Sequence, residues 1–166
     1  MNILIQSSLN TLNKSRFLLL RLSDEQFGNL SVSPYYSSIG SHIRHILDFY
    51  ACIFSESQNE IDLTARDRNL DVETYCETAI CYLDNIVQKL QKLNDLELDR
   101  EIVVIDDLGL GKAKLKYTFS ALLAQANSHT IHHYAIINYI LDRLNIVMDD
   151  ENFGYNPTTP KHVVTE

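Results

Sequence analysis

FSALLAQANSHTIHHYAIINYILDRLNIV, residues 119–147, contains neither glycine nor proline and reads as one long helix. Leu122, Leu123, Ala126, Ile136, Ile137, Ile140 and Leu144 recur at three- and four-residue steps, and His129 and His133 fall on the same stripe. Residues four apart sit one turn above each other, so the two imidazoles share a face. A buried imidazole needs a partner for each ring nitrogen, and leaving one unmet costs about 1–3 kcal/mol. A divalent ion meets one nitrogen on each ring, and a carbonyl or carboxylate behind the ring meets the other. His132 lies to one side of this line, either behind the ligands or in solvent.

A second histidine pair occurs in SIGSHIRHILDFY, residues 38–50. Five of the six histidines lie in these two segments. Ile39, Ile43, Ile46, Phe49, Tyr50 and Ile53 make the second segment amphipathic, with His45 beside Ile46 and Phe49 on the inward face. His45, His129 and His133 would form a three-nitrogen site with a position left for water or substrate. His42, one turn earlier, is the alternative ligand, and Asp48 is a candidate acceptor or base close behind the site, with a solvated carboxylate on the helix surface as the equally weighted reading. Imidazoles suit zinc or nickel, with iron and manganese as further candidates. The competing reading is that these are structural histidines of a core or rim. Thr130 stands where a zinc protease of the HExxH class carries its glutamate, so that chemistry is excluded.

Four long segments suit helices, at about residues 3–22, 37–57, 72–93 and 119–147. SDEQFGNLSVSPYYSS breaks the chain after the first, with Ser23 and Asp24 opening a short turn, Gly28 stopping it and Pro34 forbidding continuation. A polar connection, SQNEIDLTARDRNLD, follows the second. It is long for a bundle loop, and its Arg66 and Arg68 would suit an anion if the loop covers the site; an exposed charge cluster is the simpler reading. Between the third and fourth helices, EIVVI and AKLKY flank a GLG turn and predict a small hairpin or irregular β excursion. Gly109 and Gly111 lack the GKS or GKT ending of a phosphate loop. The expected architecture is all-α: a four-helix bundle with that excursion, one domain over residues 1–150, and a polar surface tail over 151–166. Bundles often build metal sites between facing helices.

The 166 residues carry a formal net charge of −8, with 45% hydrophobic and 22% charged residues. This composition suits a globular domain, and the acidic balance without a basic stripe argues against a nucleic-acid partner. No stretch is long and apolar enough to span a bilayer. The opening stretch MNILIQSSLNTLNKSRFLLLRL does not read as a signal peptide. Cys52, Cys76 and Cys81 form no CxxC pair, and their odd number fits a reducing cytoplasm. Cys52 reads as a small core residue.

Three stretches, SIGSHIRHILDFY, SHTIHHYAIINYIL (128–141) and NFGYNPTTPK (152–161), resemble the DinB/YfiT-like superfamily of small bacterial four-helix bundles, as does the loop TARDRN (64–69). The family's usual site has one histidine before an apolar-apolar-Asp triplet, here His45 before Ile46-Leu47-Asp48, and an HxxxH pair, here His129 and His133. Phe49-Tyr50 stands where close relatives often carry a further histidine. The resemblance implies a divalent-metal site and often a homodimer. Characterised members of the family it resembles include thiol-cofactor transferases and a thiol-dependent isomerase, and many others have been called metal-dependent hydrolases. The expectation is therefore a metal-dependent hydrolase or small-thiol transferase acting on a small molecule, with a low-molecular-weight thiol as a candidate partner. The alternative is a non-catalytic metal-binding or stress-related bundle.

Overall fold

The structure is a computed structural model that describes residues 2–160; residues 161–166, with His162 and the end of the NFGYNPTTPK stretch, lie outside the described residues. The chain is mostly helical. Its helices are α1 (Ile3–Leu19), α2 (Asp24–Phe27), α3 (Ile39–Ile53), α4 (Leu70–Thr74), α5 (Cys76–Lys92), α6 (Asp95–Leu98) and α7 (Phe119–Arg143), and its strands are β1 (Glu60–Asp62), β2 (Glu101–Asp107) and β3 (Lys112–Thr118). The long helices α1 and α3 each pack against both α5 and α7.

Local chemistry sets the helix ends. Asn2, Ser38 and Thr118 each cap a long helix by accepting a backbone N–H from its first turn. Ser23 and Gln26 form a reciprocal capping box around α2. The expected third helix is divided: Tyr75 is extended, so α4 ends there and α5 begins at Cys76. The expected fourth helix stops at Arg143, because Asn145 takes a left-handed conformation at φ 56°.

The core is aliphatic. Ile43, Ile46 and Leu47 of α3, Leu83 and Leu90 of α5, and Leu122, Leu123 and Ile137 of α7 are all fully enclosed. Burying one such side chain contributes about 1.5–3 kcal/mol. The loose apolar pattern of α1 also has a cause. Its buried face includes Ser8 and Ser15, while Phe17 and Leu20 point outward. Ser15 hydrogen-bonds the buried Tyr134 hydroxyl, which in turn donates to the Thr11 carbonyl at 2.8 Å. A polar seam thus replaces part of the apolar stripe between α1 and α7.

The excursion between α5 and α7 is a true hairpin, β2 antiparallel to β3, but it is not alone. Strand β1, from the connection expected to be a plain loop, pairs parallel with β2, with Glu60 opposite Val103 and Asp62 opposite Ile105. All-α is therefore corrected to a mostly helical fold with a three-stranded mixed sheet. Three residues are too few to reveal a two-residue period, which is why β1 could not be read from sequence.

The tail expected to lie on the surface is exposed over most of 151–160 but has one anchor. Phe153 is buried and stacks on Tyr134 with ring centroids 4.7 Å apart. The next residue, Gly154, takes a positive φ of 80° where a Cβ would come 2.9 Å from the Ala135 backbone.

Helix α3 is held closely against α4. A Cβ placed on Gly40 would lie 2.0 Å from the Glu73 carbonyl oxygen. Gly40→Ala should therefore push α3 and α4 apart and cost about 1–3 kcal/mol, read as a lower midpoint in urea unfolding. An unchanged midpoint would mean that α4 is free to shift.

Candidate metal centre

Packing of α3 on α7 brings His45 to the HxxxH pair. His45 Nε2 lies 2.8 Å from His129 Nε2, and His129 Nε2 lies 3.1 Å from His133 Nε2. One ligand atom from each of the three falls within 4.8 Å of the others. Nitrogens sharing a tetrahedral ion at ordinary zinc–nitrogen lengths stand about 3.3 Å apart, so the residues fit a single divalent ion with little movement. The three rings are half-buried.

On α7 the fully buried line runs through Leu122, Leu123, Ala126, Thr130, Tyr134, Ile137 and Leu141. His129 and His133 each precede a member of it, and so lie along its edge rather than within it. A site at the edge of the core can be reached from outside, which a site on the core axis cannot. Phe49 of α3 closes the inner side, its ring centroid 5.0 Å from that of His129.

Behind His133 runs a chain of polar groups. His133 Nδ1 lies 2.9 Å from His42 Nδ1, and His42 Nε2 lies 2.9 Å from Ser37 Oγ. If His133 offers the lone pair of Nε2 to a metal, its Nδ1–H donates to His42, and His42 donates its own Nε2–H to Ser37. Every member then has a consistent role. His42 is thus within hydrogen-bond reach of His133 and of Ser37. His132 is exposed at the rim, with its ring centroid 5.4 Å from that of His133. Asp48 is turned elsewhere. Only 1% exposed, it accepts from Arg44 Nη1 at 2.9 Å and from the Tyr82 hydroxyl at 3.3 Å. Arg44 also holds Glu73 at 2.6 Å, so this network ties α3 to α4 and α5.

The loop after β1 supplies a residue that sequence reading had favoured as a solvent-exposed charge. Leu63 N–H donates to Ile105 at 2.9 Å, and the Asp62 carboxylate accepts from Thr64. On this fixed turn Arg66 Nε donates to the Leu63 carbonyl at 3.0 Å, and Nη1 lies 3.0 Å from His45 Nδ1. Arg68, two residues on, is exposed. The Cys52 thiol is buried and donates to the Ala65 carbonyl, and burial pushes it up to about 11. A thiol held protonated in this way is a poor nucleophile.

Burial keeps the histidines neutral, the form that binds metal. Burial, reinforced by charge on His129, His45, His42 and His132, pushes His133 down to about 2. Burial, then Arg66 and His129, pushes His45 down to about 4. Burial also lowers His42 and His129.

A crystal structure of a DinB-like protein, YjoA, from Bacillus subtilis superimposes on this chain with a TM-score of 0.64 at 22% sequence identity, over 88% of this chain and 94% of that one. The chain has a DinB-like fold. No protein-family profile and no curated protein matches it by sequence. The DinB-like fold thus agrees with the resemblance seen in the histidine segments. No helix among the described residues is long and apolar enough to cross a membrane.

The lowered histidines set the acid response of the metal-free protein. The folded chain resists protonation, whereas the unfolded chain takes up protons near the ordinary value of 6.5. Stability is therefore fully present above about pH 6.5 and is lost as pH falls toward 4. In metal-free protein the melting temperature should hold between pH 7 and 8 and fall from pH 6.5 to 4.5. In His133→Leu that fall should be visibly shallower. Equal slopes in the two proteins would show that His133 is not held neutral by the fold.

Proposed function

We propose that this chain is a metal-dependent enzyme of the DinB-like type, in which His45, His129 and His133 hold a divalent ion, zinc or nickel before iron or manganese. The reading rests on the convergence of three Nε2 atoms, with His129 Nε2 2.8 Å from His45 and 3.1 Å from His133. A divalent ion there would supply a Lewis acid, lowering the pKa of a water or thiol that it contacts. The reaction class is hydrolysis, or transfer of a small thiol to an electrophile.

The chain's own residues divide the remaining work. His42, backed by Ser37, fixes the ring of His133 and keeps its proton on Nδ1. Phe49 presents an apolar wall to His129 and limits water on the inner side. The three free cysteines fit a reducing compartment such as the cytoplasm. The absence of a glutamate next to the first histidine of the pair separates the site from the zinc proteases.

Titration calorimetry and elemental analysis of untagged protein should give one divalent ion per chain. Saturating metal at a hundredfold over Kd should add about 2.7 kcal/mol of stability, removed by chelator. His45→Ala, His129→Ala and His133→Ala should each abolish uptake, with His162→Ala as an unaffected control. Loss of uptake in none of the three would overturn the ligand set. Uptake without turnover across panels of small thiols with electrophiles, esters and amides would assign the chain to non-catalytic metal binding. His42→Ala should weaken metal affinity by about 10–100-fold. His42→Asn, whose amide oxygen can accept from His133 Nδ1, should recover much of the loss. Equal weakening in both variants would show that the hydrogen bond is not what supports His133.

A further inference from the structure

Arg66 is a half-buried cation beside the histidine cluster, and no carboxylate lies within ion-pair distance of it among the described residues. Arg16, Arg21, Arg44 and Arg100 all have such partners. Arg66 instead donates through Nε to the Leu63 carbonyl and places Nη1 on His45 Nδ1, each at 3.0 Å.

That second contact fixes where the His45 proton sits. A guanidinium carries only donors, so His45 Nδ1 must accept, and the ring proton is on Nε2. There it points to His129 Nε2, 2.8 Å away. Ligation of a metal through His45 Nε2 requires the lone pair at that atom, which sends the proton to Nδ1. Two N–H groups then face each other and the contact with Arg66 is lost. The anchor of Nε on the Leu63 carbonyl does not depend on His45 and persists. With metal bound, the Nη edge of a guanidinium still anchored at Leu63 would be available next to the three histidines.

We propose that Arg66 is the substrate-recognition residue of this centre, and that it binds the carboxylate of a small anionic substrate once the histidines have taken up metal. This inference rests on the metal-dependent reading above. A carboxylate is the match for one planar guanidinium, because its two oxygens accept two parallel N–H bonds. The chain as a whole repels anions, with a net charge of −8. An unpaired cation at the site is therefore what would admit one.

The test uses the full chain loaded with cobalt(II), whose visible absorption reports binding at the ion. The probes are 3-mercaptopropionate and its uncharged counterpart 3-mercapto-1-propanol. The wild-type protein should bind the carboxylate thiol about tenfold or more tightly than the alcohol, the range of a charge-assisted hydrogen bond. Arg66→Met should erase the preference, keep affinity for the alcohol and take up cobalt at least as tightly as the wild type, because a donor competing for His45 is gone. Arg66→Lys should keep part of the preference, and Arg68→Met all of it. No preference in the wild type, or one that survives Arg66→Met, would overturn the assignment while leaving the metal site intact. Failure of the wild-type protein to take up cobalt would overturn both readings. Circular dichroism of each variant separates these outcomes from loss of fold.

Discussion

The contact between α3 and α7 is the constraint on which the candidate centre depends. The two helices lie far apart in sequence, and each carries its histidines at the edge of a buried apolar face. When Ile43, Ile46 and Leu47 close against the core that Leu122, Ala126 and Ile137 help to form, the edges of the two faces meet. His45 then lies against His129 with no further choice of geometry. Aliphatic packing, which carries no chemical specificity, thereby places three imidazoles within reach of one ion. The neutrality of those imidazoles has the same source, since the burial that positions them also disfavours their charged forms.

The small sheet plays the complementary part. Strand β1 has only three residues, yet its parallel pairing with β2 fixes the turn that follows it. That turn holds Arg66 by its own backbone carbonyl at Leu63 and presents the guanidinium to His45. The sheet therefore acts as a bracket beside the candidate centre, with helices carrying the histidines and the loop after β1 carrying the cation. The network of Asp48, Arg44, Glu73 and Tyr82 does similar work for α3, tying it to α4 and α5 through one nearly enclosed carboxylate. A buried charge of this kind persists only because each of its oxygens has a donor.

Several features were legible in the sequence for identifiable reasons. The stripe of α7 announced its helix because apolar residues recur at helical spacing over seven turns. The hairpin was signalled by EIVVI and AKLKY about a glycine turn. The turn at Ser23 was marked by its cap. Other features were hidden by equally physical causes. Ser8 and Ser15 disguised the buried face of α1, and the partner of Ser15, Tyr134, lies on another helix. Phe153 looked like part of a polar tail, because a single aromatic anchor has no periodicity. Asp48, weighed as a support for the centre, serves Arg44 and Tyr82 instead, a direction that spacing along one helix does not specify.

What the sequence determined by itself was the approximate course of the long helices and the apolar stripes along them, since both follow from the repeat of polar and apolar side chains along a continuous stretch. It also marked His45, His129 and His133 as candidates, because histidine on an apolar face demands a partner, although the structure sets His129 and His133 at the edge of that face. Tertiary structure alone decided that these three meet, that His42 lies against His133, and that the half-buried Arg66 faces His45. Those facts depend on distances between segments tens of residues apart. Such distances are set by how whole faces pack and how one short strand pairs, and no local pattern in the chain encodes them.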